Sequence, residues 1–161
     1  MAEFKYSVLF VCMGNICRSP TAEGVFRHVL AEAGLAGKVR VDSAGTHAYH
    51  VGEPPDRRAQ AAAERRGITL ADIRARRVGE SDFSEFDYVI AMDRLNLHTL
   101  AEVAAEEYRD RLSLFLDFRS GSEQEVPDPY YGGAAGFERV LDLVEEASRA
   151  LLETLRSRHD L

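Results

Sequence analysis

The sequence predicts a single-domain α/β fold in three layers, α/β/α, with a central four-stranded parallel sheet. Short apolar, β-branched runs alternate along the chain with longer segments whose apolar residues recur at helical spacing. Strands that alternate with helices favour a parallel sheet that helices cover on both faces. The length of 161 residues suits one domain with its own core, and no repeat, linker or low-complexity segment divides residues 1–161.

The first predicted strand is the continuous apolar run 7–11, which is typical of a strand buried on both faces of a sheet. A turn containing Gly and Asn follows in residues 12–18. A helix is predicted to begin at Ser19 and Pro20, with Ser19 as its N-cap and Pro20 at its first helical position. Its apolar stripe continues until the glycines that follow residue 33.

Three further strands and three further helices are predicted to alternate along the rest of the chain. The strands are expected at 39–41, 86–92 and 112–115, and the helices at 57–66, at 93–105 and after residue 136. Residues 45–55 and 120–136 are predicted loops because Gly and Pro recur in them. The final helix is expected to bury one apolar face, formed by Phe137, Val140, Leu141, Val144, Leu151, Leu152 and Leu155.

Composition and charge exclude several functional classes. The formal net charge of −7 argues against a nucleic-acid partner, for which a basic surface is expected. No apolar run reaches the length of a membrane span, which argues against a membrane partner. Residues 1–6 lack the basic-then-apolar layout of a signal peptide, so a cytoplasmic location is expected.

The two cysteines, Cys12 and Cys17, are too few and too close for a disulfide framework. In a reducing cytosol such residues are catalytic, metal-binding or simply buried. His47 and His50 form a pair, but no third or fourth ligand follows at a suitable spacing. We therefore expect no metal site and no cofactor, and we interpret this pair as part of a solvated loop.

Residues 12–18 lie between a buried strand and a helix N-terminus, where free N–H groups and the helix dipole favour anions. No Lys follows the glycine as it does in a nucleotide P-loop. A thiolate at Cys12 would sit in this field as a nucleophile, and Arg18 could hold two oxygens of a phosphate group. The alternatives are that Cys12 is a buried structural thiol and that Cys17 only packs at the base of the loop.

The ten residues 11–20, Val-Cys-Met-Gly-Asn-Ile-Cys-Arg-Ser-Pro, resemble the signature loop of the low-molecular-weight protein tyrosine phosphatases. Further similarities follow in order at 42–46, 92–93 and 126–131. The resemblance implies a nucleophilic Cys12 and a protective pairing of oxidised Cys12 with Cys17. It also implies a set of residues that bind phosphate or support the loop, namely Met13, Gly14, Asn15, Ile16, Cys17, Arg18, Ser19 and Ser43. Within this set, Asn15 and Ser43 brace the loop and Ser19 assists the thiolate.

A carboxyl group is needed to protonate the leaving tyrosinate and then to activate water. From the residues alone, the candidates are Asp42, Asp93, Asp117 and Asp128. Asp128 lies between two prolines, which make its backbone extended and stiff, although Asp also commonly forms turns. The resemblance selects Asp128. It also implies that Tyr49, Tyr130 and Tyr131 form the wall of the substrate pocket, with Met13 as a flexible part of it.

The resemblance therefore implies a protein-tyrosine phosphatase that hydrolyses phosphotyrosine and small aryl phosphates through a cysteinyl-phosphate, without a metal. The implied partners are tyrosine-phosphorylated proteins, with a cognate tyrosine kinase as a candidate, and phosphate or another oxyanion as a competitive ligand. An arsenate reductase of the same fold is the main alternative, but the sequence has no resolving cysteine beyond residue 17. A binding module without catalysis is the other alternative, and it would need neither the thiol nor the acid.

Overall fold

The computed structural model describes residues 4–130 and 132–161. Within these residues the strands are β1 (Tyr6–Cys12), β2 (Val39–Gly45), β3 (Tyr88–Ala91) and β4 (Leu112–Leu114). The α-helices are α1 (Arg18–Glu32), α2 (Arg57–Glu64), α3 (Glu80–Glu85), α4 (Arg94–Val103) and α5 (Ala134–His159). Two short 3₁₀ helices, Glu106–Arg111 and Phe115–Phe118, flank β4. No helix in the described part of the chain combines the length and apolar character needed to cross a bilayer.

The four strands form one sheet in the order β2-β1-β3-β4, and every neighbouring pair is parallel. From β1 the chain crosses to β2 on one side and later returns to β3 on the other. The carboxyl end of β1 is therefore the point at which the strand order reverses, where α/β sheets of this kind bind ligands. The predicted four-stranded parallel sheet is confirmed.

A helical layer covers each face of the sheet. The side chains of β1 point alternately to the two faces, so each face has its own apolar core. Val8 and Phe10 pack in a core with α1, α2 and α5, whereas Leu9 and Val11 pack in a second core with α3 and α4. The apolar face predicted for the last helix is buried in the first of these cores. The α/β/α fold is thus confirmed.

The N-cap predicted for the first helix is wrong. Helix α1 begins at Arg18 with Cys17 as its N-cap, and Ser19 lies in the first turn. The Ser19 hydroxyl contacts Asn15 and Cys12 instead of capping the helix. Pro20 still lies in the first turn, where a helix tolerates a missing N–H group.

Two further differences arise from tertiary contacts. Strand β2 extends past residue 41 because Asp42 to Gly45 pair with Leu9 to Cys12 of β1, which overrides their weak strand propensity. Helix α3 was missed because its six residues contain a single large apolar side chain, Phe83. The carboxylate of Asp82 accepts from the Gly79 N–H and so begins this helix.

Candidate active site

The predicted anion loop leads from the carboxyl end of β1 into the N-terminus of α1. Cys12 and Arg18 are only 3% and 2% exposed, yet both face a cleft of about 250 Å³. The other residues that line this cleft are Met13, Gly14, Ile16, Cys17, Tyr49, His50, Asp128 and Tyr130. The sulfur of Cys12 therefore lies at the base of an open cleft and not in a closed apolar core.

The sulfur of Cys12 lies 3.0 Å from the hydroxyl oxygen of Ser19. That oxygen accepts a hydrogen bond of 2.8 Å from Asn15 Nδ2, which leaves the hydroxyl proton available to point at the sulfur. A donated O–H at this distance would stabilise a thiolate. The displacement of Ser19 from the N-cap thus places a donor beside the predicted nucleophile.

Asn15 adopts the left-handed conformation, with φ of 58°, and it is fully buried. Asn tolerates this conformation better than most residues with a Cβ atom, and its side chain makes local hydrogen bonds here. Asn15 Nδ2 donates to Ser19 Oγ and to Ser43 Oγ, the latter at 3.0 Å, and Asn15 Oδ1 accepts from the Arg76 backbone N–H at 3.0 Å. Asn15 is therefore held from β2, α1 and the segment before α3.

Ser43 is itself held by a buried carboxylate. Its hydroxyl donates to Glu23 Oε1 at 2.6 Å, and Glu23 Oε2 lies 2.5 Å from the guanidinium of Arg27. Burial raises the pKa of Glu23, although the hydrogen bond from Ser43 and the charge of Arg27 act in the opposite direction. The hydrogen-bond chain from Cys12 thus extends through Ser43 and Glu23 to Arg27, along the side of the first helix that faces β2.

The guanidinium of Arg18 is fixed by two acceptors. Its Nη1 donates to Asp93 Oδ2 at 2.6 Å and to the Val126 carbonyl at 3.1 Å. Burial alone would lower the pKa of Arg18, but the charges of Cys12 and Asp93 outweigh it and raise that pKa. Arg18 is therefore a permanent cation whose second amino group, Nη2, is not used by Asp93.

The structure separates the four candidate carboxylates. Asp93 binds Arg18, Asp42 lies 3.1 Å from Arg76, and Asp117 belongs to the 3₁₀ helix after β4. Of these four, only Asp128 lines the cleft. Its Oδ2 lies 3.8 Å from Arg18 Nη2, its Oδ1 accepts from the Tyr130 N–H at 3.0 Å, and its side chain is 46% exposed. A half-exposed carboxyl group thus lies across the cleft mouth from the buried cysteine loop.

Comparison with known proteins places this geometry in a family. The sequence model described as low molecular weight phosphotyrosine protein phosphatase matches residues 7–160. The chain belongs to this family. A low molecular weight protein-tyrosine-phosphatase of Bacillus subtilis, YfkJ, is 42% identical over 156 residues, which cover 96% of this chain and 99% of the relative. The human low molecular weight phosphotyrosine protein phosphatase is 40% identical, with 91% of this chain and 94% of the relative covered.

Solved structures agree with the sequence comparison. A crystal structure of a protein tyrosine phosphatase from Entamoeba histolytica, with Hepes in the active site, superposes with a TM-score of 0.91 at 42% identity. The match covers 94% of this chain and 97% of that chain. The crystal structure of Bacillus subtilis YfkJ gives a TM-score of 0.92 at 39% identity, with 99% of both chains covered. The whole α/β/α fold is therefore that of the low-molecular-weight phosphatases.

The second family cysteine, Cys17, is a buried thiol that also lines the cleft. Burial raises its pKa, and the negative groups Asp56, Cys12 and Asp128 add to the effect. Cys17 therefore stays protonated while Cys12 lies beside donors and a cation. The protective pairing of the two sulfurs stays a prediction.

Two of the three predicted wall tyrosines are described. Tyr49 is 69% exposed and stacks on His47, with ring centroids 5.1 Å apart. Tyr130 lies across the cleft, and Tyr131 lies outside the described residues. His50 lies in a loop, as predicted, and its side chain also lines the cleft beside Gly14, with Nδ1 2.9 Å from Glu53 Oε2. Its place directly after Tyr49 was the one signal in the sequence that could have indicated this.

No group of three or more His, Cys, Asp and Glu side chains is arranged to hold a metal ion in residues 4–130 and 132–161. His47 and His50 bind different partners: the His47 ring contacts the Thr46 hydroxyl at 2.8 Å, and the His50 ring contacts the Glu53 carboxylate. The His47 ring therefore lies beside Thr46 and Tyr49, whereas the His50 ring lines the cleft.

Proposed function

We propose that the protein hydrolyses phosphotyrosine in proteins, and small aryl phosphates, with Cys12 as nucleophile, Arg18 as phosphate ligand and Asp128 as acid and base. The observation that carries this proposal is the position of the Cys12 sulfur at the base of a cleft formed by a helix N-terminus, with a buried guanidinium and a half-exposed carboxyl group beside it. Membership of the phosphatase family supports the same reaction class.

In the first step, a phosphate monoester binds with its oxygens against the N–H groups of residues 13–18 and the guanidinium of Arg18. The Cys12 thiolate attacks phosphorus, so the S–P bond forms as the P–O bond to the aryl group breaks. The electron pair of that bond goes to the phenolic oxygen, which takes the proton of Asp128. The product is a cysteinyl-phosphate and a neutral phenol.

In the second step, Asp128 acts as a carboxylate. It accepts a proton from a water molecule whose oxygen attacks phosphorus, and the S–P bond breaks to return the thiolate and inorganic phosphate. In both transition states the equatorial oxygens carry the charge, so contacts from Arg18 and the loop N–H groups stabilise both. The hydroxyl of Ser19 stabilises the departing sulfur.

The shape of the cleft supports aryl phosphates as the substrate class. The sulfur lies below a mouth flanked by Tyr49 and Tyr130, so a long, flat side chain is needed to bring phosphorus to it. Aromatic walls favour a phenyl ring by stacking. Tyrosine-phosphorylated proteins are therefore the proposed partners, a cognate tyrosine kinase is a candidate among them, and inorganic phosphate or another oxyanion is the expected competitive ligand.

The replacement Cys12→Ser tests this proposal. The variant should lose turnover of p-nitrophenyl phosphate and retain binding of inorganic phosphate, measured by calorimetry. It should also retain tyrosine-phosphorylated peptides in a pull-down, whereas an Arg18→Ala variant should not. Turnover at the wild-type rate by Cys12→Ser would remove the cysteine from the mechanism.

A further inference from the structure

Arg58, in the first turn of α2, binds the backbone of the segment that carries Asp128. Its Nη2 donates to the Tyr130 carbonyl at 2.9 Å, and its Nη1 donates to the Gly132 carbonyl at 3.3 Å. The guanidinium carbon also lies 4.8 Å from the ring centroid of Phe137 in α5. A single side chain from α2 thus holds the chain between the proposed acid and the last helix.

Asp56 fixes the direction of this guanidinium. Its Oδ1 accepts from Arg58 Nε at 3.1 Å and its Oδ2 accepts from Arg58 Nη2 at 2.9 Å. Asp56 is also the N-cap of α2, since its Oδ1 accepts from the Arg58 backbone N–H at 2.8 Å. The hydrogen bond from Arg58 holds the pKa of Asp56 below its ordinary value, against the opposing effect of burial, so the pair stays ionised.

The same pair is joined to the phosphate loop. The backbone N–H of Asp56 donates to the carbonyl of Ile16 at 2.8 Å. The connection therefore runs from Ile16 in the loop through Asp56 and Arg58 to the Tyr130 carbonyl. The N–H of Tyr130 in turn donates to Asp128 Oδ1. The N–H and the carbonyl of Tyr130 therefore both belong to the connection between the phosphate loop and Asp128.

The segment after Asp128 depends on such bonds because, among its described residues, packing buries Pro129 and leaves the others exposed. Pro127, Asp128, Gly132 and Gly133 are exposed, and Tyr130 is 37% exposed. One backbone hydrogen bond in this segment runs from the Gly132 N–H to the Pro129 carbonyl at 3.0 Å. Pro127 and Pro129 stiffen the backbone at Asp128 itself, but the two glycines beyond Pro129 lower the rigidity of the exposed turn. An outside anchor on this turn therefore helps to set where the Asp128 carboxyl group lies.

We propose that Arg58, fixed by Asp56, is a positioning residue that sets the place of the Asp128 carboxyl group relative to the Cys12 loop. Arg58 acts through the Tyr130 and Gly132 carbonyls and does not touch the substrate. The inference rests on the proposed function, because it assumes that Asp128 protonates the leaving group. Loss of Arg58 should therefore impair proton transfer while the phosphate loop itself stays intact.

The test compares kcat/KM for phenyl phosphate, whose leaving group needs a proton, with kcat/KM for p-nitrophenyl phosphate, whose leaving group hardly does. Arg58→Ala should lower kcat/KM for phenyl phosphate by about tenfold or more, because small displacements of a catalytic group are costly, and should affect p-nitrophenyl phosphate much less. The inhibition constant of inorganic phosphate should stay unchanged. Arg58→Lys should not restore the rate, since an ammonium group cannot match the planar fork that reaches Asp56 and both carbonyls.

Arg65→Ala is the matched control. Arg65 follows α2 directly and also reaches α5, where its Nη2 lies 3.3 Å from Glu138 Oε2. The control removes the same charge from the same region without altering the bonds to residues 130 and 132. It should leave the ratio of the two kcat/KM values at the wild-type level.

Asp56→Asn is a second variant, used in case Arg58→Ala folds poorly. Asn also serves as an N-cap, so α2 is retained while the ion pair with Arg58 is lost. This variant should change the two kcat/KM values in the same sense as Arg58→Ala, and by less. Thermal unfolding of each variant shows whether a rate loss reflects partial unfolding.

The combination with Asp128→Ala separates the possible outcomes. If Arg58 acts through Asp128, Arg58→Ala should add little to the loss already caused by Asp128→Ala. Equal slowing of both substrates by Arg58→Ala, or losses that multiply in the double variant, would overturn the proposal for Arg58 alone. If Asp128→Ala shows no dependence on the leaving group while Cys12→Ser is inactive, the acid assignment and this proposal both fall, and the phosphatase reaction stands.

Discussion

The carboxylate of Asp93 connects Arg18 to the first turn of α4. Its Oδ2 accepts from Arg18 Nη1 at 2.6 Å, and its Oδ1 accepts from the Asn96 N–H at 2.8 Å as the N-cap of that helix. Because Nη1 is occupied in this way, Arg18 Nη2 is the amino group that lies toward Asp128, at 3.8 Å. Asp93 therefore decides which edge of the guanidinium is left for the proposed phosphate ligand.

Asp93→Asn should weaken both phosphate binding and stability. Asn retains an oxygen for the helix cap but leaves a buried guanidinium without its charged acceptor. The free energy of unfolding should fall by about 1.5–3 kcal/mol, the range for a hydrogen bond to a charged group, as measured by urea denaturation. The inhibition constant of inorganic phosphate should rise. A variant with wild-type stability and phosphate affinity would show that the Val126 carbonyl alone orients Arg18.

The left-handed conformation of Asn15 can be tested with two replacements at the same position. Asn15→Gly removes the side-chain bonds to Ser19 and Ser43 but adopts the observed φ of 58° without strain. Asn15→Ala removes the same bonds and keeps the strain. Asn15→Ala should therefore be less stable than Asn15→Gly by about 1–2 kcal/mol, the cost of the left-handed conformation for a residue with a Cβ atom.

Both variants should bind inorganic phosphate more weakly than the wild type, because neither holds Ser19 beside Cys12. Equal stability of the Ala and Gly variants would mean that the loop adopts another conformation once the amide is lost. Chemical denaturation and calorimetric titration with phosphate measure the two effects separately.

Asp128→Ala should slow the enzyme according to the leaving group. For phenyl phosphate, kcat/KM should fall by about 10²- to 10³-fold, as expected for the loss of a general acid, and the fall should be much smaller for p-nitrophenyl phosphate. Asp117→Ala is the control, since Asp117 was an equal candidate in sequence but lies outside the cleft. An equal fall for both substrates would remove Asp128 from the role of proton donor.

The two cysteines should differ in their reaction with iodoacetate at neutral pH. Cys12 lies beside Ser19 and Arg18 at an anion loop, whereas burial raises the pKa of Cys17 and keeps it protonated. Because only the thiolate reacts, Cys12 should be alkylated about tenfold faster or more, and inorganic phosphate should slow that reaction. Mass spectrometry of the peptide that contains both residues, in wild type, Cys12→Ser and Cys17→Ser, measures each rate. Faster modification of Cys17 would contradict the assignment of the nucleophile.

Local patterns were sufficient to predict the elements that build the base of the cleft. The run 7–11 is apolar and β-branched, which predicts a strand buried on both faces, and the turn and helix after it are contiguous in sequence. The anion loop was therefore predictable as a unit. Ser19 was predictable as a residue near a helix start. Whether its hydroxyl caps the helix or contacts Asn15 depends on Ser43, which also binds Asn15 and lies 24 residues further along the chain.

The sequence by itself determined the order of the four strands and of every α-helix except α3, the parallel sheet and the strand–loop–helix unit that holds Cys12 and Arg18. Only the tertiary structure decided where each carboxylate lies, with Asp93 on the guanidinium and Asp128 at the cleft mouth, and which arginine binds the segment after Asp128. The physical reason is that parallel strands end at one edge of the sheet. The loops that follow those strands therefore lie close together. Arg18 contacts Asp93 and Val126, which are 75 and 108 residues away in sequence, and no local sequence pattern predicts contacts of that range.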